Sequence, residues 1–135
     1  MTSTILYEGN LRTLCTHTRS GTEINTDAPV DNRGKGERFS PSDLLATSLG
    51  TCMITIMGMK AADMNIDLKG VKIDVEKIMG TEPRRVTGIN LTFHFPQNFI
   101  ADDKQKKILE NAAHTCPVIK SLHPDIAVHT DFLWK

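Results

Sequence analysis

The stretch from Leu44 to Met59 carries no charged side chain, and it is introduced by Ser40-Pro41-Ser42-Asp43; no other feature constrains the fold of this chain so strongly. Ser40 can cap free helical amides, Pro41 suits the first helical position, and Asp43 favours the positive end of the helix dipole. The pattern predicts a helix. Leu44, Leu45, Leu49, Cys52, Met53, Ile56, Met57 and Met59 are spread around its wheel, which is expected of a helix covered on most sides. Gly50 costs such a helix about 1 kcal/mol relative to alanine, so a close backbone approach or a bend near Cys52 is expected there. The uncharged run is shorter than the roughly 20 residues that span a bilayer and contains several hydroxyl side chains, so it predicts a core helix and no membrane span.

Around this helix the chain reads as strands. Thr4 to Thr18 is rich in strand-favouring residues, Ser20-Gly21 supplies a turn, and Glu23 to Asp27 is a second strand, together a hairpin. Ala28 to Phe39 is loop chemistry with both signs of charge, placed to lean over the helix and supply it with polar groups. Val71, Ile73 and Val75 alternate with polar residues, as do Ile89, Leu91, Phe93 and Phe95 beyond a turn near Gly80 to Pro83; two antiparallel strands follow. Asp102-Asp103 then open a second helix in which Ile108, Ala112 and Cys116 share the buried face. Pro117 ends or restarts it, and Ile126 to Trp134 alternate as a closing strand. The whole, residues 1–135, predicts one α+β domain.

Sixteen basic and sixteen acidic side chains cancel, so no global field draws the protein to nucleic acid or to an anionic membrane. Met1 to Tyr7 lacks a secretory start, and a cytoplasmic protein is expected. Three widely spaced cysteines, Cys15, Cys52 and Cys116, make a poor secreted scaffold, and in a reducing compartment a disulfide is more often transient and catalytic. Cys52 and Cys116 lie on the two substantial helices, which must share one core, so the two thiols can meet. Two inert core thiols remain the plain alternative. A reactive cysteine needs a cation to hold its thiolate, and arginine is suited to the task.

Other features have bland readings. Cys15 is a small residue in an alternating strand. His114 could join the cysteines around zinc, but no paired-cysteine knuckle or HxxxH run supports a metal site. Gly34-Lys35-Gly36 lacks the spacing of a phosphate loop, and Lys104 to Lys107 reads as the solvated face of a helix.

Phe39-Ser40-Pro41-Ser42-Asp43-Leu44-Leu45-Ala46-Thr47-Ser48-Leu49-Gly50-Thr51-Cys52-Met53 resembles the cysteine-bearing central helix of OsmC/Ohr proteins, and Ala112-Ala113-His114-Thr115-Cys116-Pro117-Val118 resembles the second cysteine segment of that family. The resemblance implies an OsmC-like fold, with antiparallel β-sheets wrapped around two central helices in an intertwined homodimer whose active sites lie at the subunit interface. It also implies a peroxidase for organic hydroperoxides in oxidative stress defence, in which Cys52 becomes a sulfenic acid and Cys116 closes a disulfide. An external dithiol then reduces the bridge, a protein-bound lipoyl group in one branch, and neither metal nor flavin is required. An apolar pocket from Met53, Met57 and Phe39 would suit such a substrate.

One departure concerns the supporting cation. Ser42 stands where the family carries a glutamate that orients the arginine; Asp43 is assigned to the helix start, and Glu37 is the candidate replacement. The arginine itself is Arg33 or Arg38 from the loop, with Arg33 preferred, or Arg12 from the first strand. The alternative function is a relative without peroxidase activity that binds a small apolar ligand and keeps its cysteines for packing.

Overall fold

A computed structural model of the chain describes residues 1–134, in two compact units, Met1–Leu45 and Ala46 onward. The first unit is a three-stranded antiparallel meander of β1 (Ser3–Gly9), β2 (Arg12–His17) and β3 (Glu23–Asp27). Where one long strand was expected from Thr4 to Thr18, the chain turns at Asn10-Leu11. Both residues have positive φ, 54° and 63°, as the tight hairpin turns that match strand twist require. The second turn falls at Ser20-Gly21 as predicted.

The charged loop after β3 folds back on itself. A single 3₁₀ turn, Val30–Asn32, is followed by Gly34, where an added Cβ would lie 1.6 Å from the carbonyl oxygen of Ala28. No other residue fits so close an approach. The polar groups of this loop serve its own unit: the amide of Glu37 donates to Asp27, and the Asp27 amide donates to the carbonyl of Phe39.

Helix α1 (Pro41–Asp63) starts as the sequence predicts. The Ser40 hydroxyl accepts from the Asp43 amide at 3.0 Å while Asp43 accepts from the Ser40 amide at 2.9 Å, a reciprocal cap that satisfies two otherwise orphaned donors. At 23 residues the helix is long and apolar enough to cross a bilayer by length and composition, because its ends extend beyond the uncharged run; the expected shortfall does not hold. Its inward side is nevertheless that of a core helix. Leu49, Met53, Met57 and Ala61, spaced at four residues, are wholly buried. The cover on most sides that was expected is not provided within the chain: Thr51, Thr55 and Met59 are exposed, because one sheet and one helix face reach only one stripe of the wheel.

The sheet of this second unit comprises β4 (Lys72–Thr81), β5 (Arg84–His94) and β6 (Ala127–Leu133). β4 and β5 form the antiparallel pair read from their alternation, whereas β6 runs parallel to β5, from Gly88 opposite Ala127 to His94 opposite Leu133. The sheet is therefore mixed. The parallel pairing requires a long crossover, and α2 (Asp103–Ala113) with α3 (Pro117–Ser121) supplies it. Gly50 does meet a close approach: a Cβ there would lie 3.2 Å from Leu91 Cδ2 and 3.3 Å from Val75 Cγ2. Its absence lets α1 sit down on the sheet, over Ile89, Leu91 and Phe93.

Candidate active site

Cys52 projects from the middle of α1 and is half-buried, while Cys116 is fully buried. The second helix stops at Ala113, three residues short of the extent expected. Cys116 precedes Pro117, whose ring disfavours helical backbone in the residue before it, and Cys116 accordingly adopts φ −66°, ψ 146°. It becomes the N-cap of α3, with its Sγ accepting from the Ile119 amide at 3.4 Å. The two thiols that the sequence separates so widely are close enough for Cys52 to act on the charge state of Cys116.

Burial pushes the Cys116 thiol above its ordinary value, and the adjacent Cys52 side chain pushes it further, against the lowering effect of the Ile119 and Val118 amides. Cys116 thus rests as a protonated thiol until its partner changes. A half-buried sulfur on a helix, beside a second, buried sulfur in the crossover between β5 and β6, is the juxtaposition that a disulfide would need.

His114 has a structural task. Its Nδ1 donates to the carbonyl of Glu110 at 3.0 Å, and its Nε2 meets the Thr130 hydroxyl at 3.3 Å, tying the end of α2 to β6. Among the described residues no group of three or more His, Cys, Asp or Glu side chains could hold a metal ion. Met53 and Met57 are sealed in the core and cannot line an open pocket, contrary to expectation. An open cleft of about 450 Å³ lies instead between α1 and α2, with Ile56 and Met59 facing Ile108 and Ala112.

In the first unit, Glu37 does engage an arginine, and that arginine is Arg12. Its Nε and Nη2 donate to the two carboxylate oxygens of Asp27 at 2.6 and 2.8 Å, and Nη2 also donates to Glu37 Oε1 at 2.9 Å. Arg33 is exposed, with φ 70°, and the exposed Arg38 donates through Nη1 to the carbonyl of Glu37 rather than to its carboxylate. Asp27 was missed from sequence although it is only 1% exposed. Its partnership was there to be counted: with the turn at Ser20-Gly21, pairing outward sets Thr16 against Glu23 and Arg12 against Asp27.

The Arg12 hydrogen bonds hold the Asp27 carboxyl down at about 2, below its ordinary 3.8, against the opposing effect of burial and with help from the Glu37 amide. A carboxyl whose pKa is lower folded than unfolded contributes stability that is complete above the unfolded value and is lost as pH falls through the folded one. Thermal midpoints measured from pH 5 down to pH 2 should therefore fall more steeply for the native protein than for Asp27→Asn. Parallel curves would show that Asp27 is not the titrating group.

The comparisons with known proteins bear on this arrangement. The family model described as OsmC-like protein matches residues 34–131, a span that includes both Cys52 and Cys116. The chain belongs to the OsmC-like family. A protein of Psychrobacter arcticus 273-4, assigned to the osmotic stress induced and detoxification response, is 53% identical over 98% of this chain and 96% of its own, with a TM-score of 0.94. Two more distant structures share the fold at 18% identity. An organic hydroperoxide resistance protein OsmC of Legionella pneumophila has a TM-score of 0.76 over 99% of this chain and 98% of its own. The organic hydroperoxide resistance protein OhrB of Bacillus subtilis has a TM-score of 0.68 over 98% of each chain. No curated protein sequence matches this chain. The α+β class and the OsmC-like fold expected from sequence hold, and membership in the OsmC-like family supports a redox or stress-related role.

Proposed function

We propose that this OsmC-like protein is a thiol peroxidase that reduces organic hydroperoxides and works as a homodimer in the cytoplasm. The observation that supports the reading above all others is the proximity of the Cys52 and Cys116 thiols, near enough for one to shift the titration of the other. In the proposed cycle the Cys52 thiolate attacks the terminal peroxide oxygen; the O–O bond breaks, the alcohol leaves with a proton, and Cys52 becomes a sulfenic acid. The Cys116 thiol then attacks that sulfur, water departs, and a Cys52–Cys116 disulfide remains. A dithiol, free or carried on a protein, returns two electrons and two protons to restore both thiols.

The exposed face of α1, with Thr51, Thr55 and Met59 open on an otherwise apolar helix, supports a second copy as its cover. Of the three arginines considered, Arg12 is the one held in a fixed pose by two carboxylates, so its replacement should slow turnover more than replacement of Arg33 or Arg38. The direct test is a thiol count. Stoichiometric cumene hydroperoxide should consume two thiols per chain and leave a bridge between Cys52 and Cys116 in a peptide digest. Unchanged thiols would remove the peroxidase reading and favour a ligand-binding relative.

A further inference from the structure

We infer that the Ile119 amide makes the buried sulfur chemically usable: it holds the Cys116 thiolate as attacking group when the bridge to Cys52 closes, and as leaving group when a reductant opens it. The inference rests on the peroxidase reading and deepens it, by assigning which sulfur of the disulfide is attacked and which departs. Cys116 is 0% exposed and Cys52 is half-buried, so an incoming thiol reaches the Cys52 sulfur first. A thiol that bonds there must expel Cys116 as a thiolate, into an interior where burial opposes charge.

The group that offsets this opposition is put in place by Pro117. Had α2 run on through position 116, the nearby amides would be bonded to carbonyls four residues back, and none would face the sulfur. The proline instead keeps Cys116 extended and starts a new turn, whose first amides have no helical acceptor. The Ile119 amide donates to Cys116 Sγ at 3.4 Å, and the Lys120 amide closes the turn onto the Cys116 carbonyl at 3.4 Å. The amides of Ile119 and Val118 favour the ionised sulfur, against burial. A hydrogen bond to an anion is stronger than one to a neutral acceptor, so the effect is largest when the sulfur carries charge. In closure, the Cys116 thiolate displaces hydroxide from the Cys52 sulfenic acid, and the hydroxide leaves as water with the proton that the thiol gave up. In reduction, one thiolate of a dithiol bonds to the Cys52 sulfur, and the S–S bond breaks toward Cys116, which takes up a proton. The second thiol of the reductant then displaces Cys52, leaving two protein thiols and the reductant in its disulfide form.

The test deletes single peptide N–H groups. In a Cys15→Ser background, ligation at Cys116 joins residues 1–115 to a synthetic segment 116–135 and rebuilds the whole chain, with an ester in place of the peptide bond at Ile119 or, as control, at Lys120. Each ester removes one hydrogen bond from the same turn, but only the first faces the sulfur. Bridge closure after peroxide, and bridge opening by dithiothreitol, should each slow about tenfold with the Ile119 ester and stay near native rates with the Lys120 ester. Consumption of the first peroxide equivalent should be unchanged in both. Mass spectrometry of the oxidised protein, quenched during reaction with limiting 2-mercaptoethanol, should find the adduct on Cys52. Equal rates for the two esters, or an adduct on Cys116, would overturn the inference. Diamide closes the bridge without peroxide, so if peroxide leaves the thiols untouched the peroxidase reading falls, while the opening rates still decide the role of the amide.

Discussion

A Cys52→Ser protein is expected to fold normally and to consume no hydroperoxide, while a Cys116→Ser protein consumes one equivalent per chain and then stops. The difference follows from the separate positions of the two sulfurs. Cys52 is the half-buried member, open to a substrate, and its hydroxyl replacement is a far weaker nucleophile at neutral pH. Cys116 is fully buried and held up in pKa, so it can act only on a sulfur already beside it. Serine at that position keeps an acceptor for the Ile119 amide and so preserves the cap of α3. Mass spectrometry of the Cys116→Ser protein after one equivalent of peroxide should find Cys52 as a sulfenic or over-oxidised species. Equal residual turnover in both variants would contradict the assignment of attacking and resolving roles.

Phe93→Ala is expected to cost about 3 to 5 kcal/mol of unfolding free energy. Phe93 is wholly buried near the end of β5, the central strand of its sheet, opposite Ile73 on one side and Phe132 on the other, and its ring stacks on Phe132 at 4.7 Å. Removing it opens a cavity where both neighbouring strands meet α1, and close packing leaves little freedom for collapse into the gap. With native stabilities of about 5 to 15 kcal/mol, such a loss is a large part of the whole. Urea unfolding of the variant beside Ile100→Ala, whose side chain is almost fully exposed, provides the measurement. A loss below about 1 kcal/mol would mean that β5 is not the centre of this core.

Much of this architecture could be read from local patterns. Ser40-Pro41-Ser42-Asp43 announced α1 because capping is decided within four residues, and the alternation in β4 and β5 reports which side of each strand is covered. Pro117 already carried the information that Cys116 leaves the helix, since the restriction acts on the preceding residue. What stayed hidden was set by partners distant along the chain or by weak signals. Leu11 at positive φ follows no residue preference, so the first turn was lost in a strand-like run. The direction of β6 depends on how the crossover is laid down, which alternation does not encode. Cys52 and Cys116 could be proposed as neighbours only because few helices were available, and no local motif records their contact. Asp27 was overlooked because an aspartate at a strand end reads as turn chemistry; its burial arises from the cross-strand partner Arg12.

The parallel seating of β6 has a bearing on when the two cysteines come together. Everything between His94 and Ala127, Cys116 included, belongs to a loop that stays open until the last strand finds its register. Closing so long a loop is entropically costly and late among folding events. The meeting of the two sulfurs is thereby tied to a closure across about a quarter of the chain, of the kind that is slow in folding.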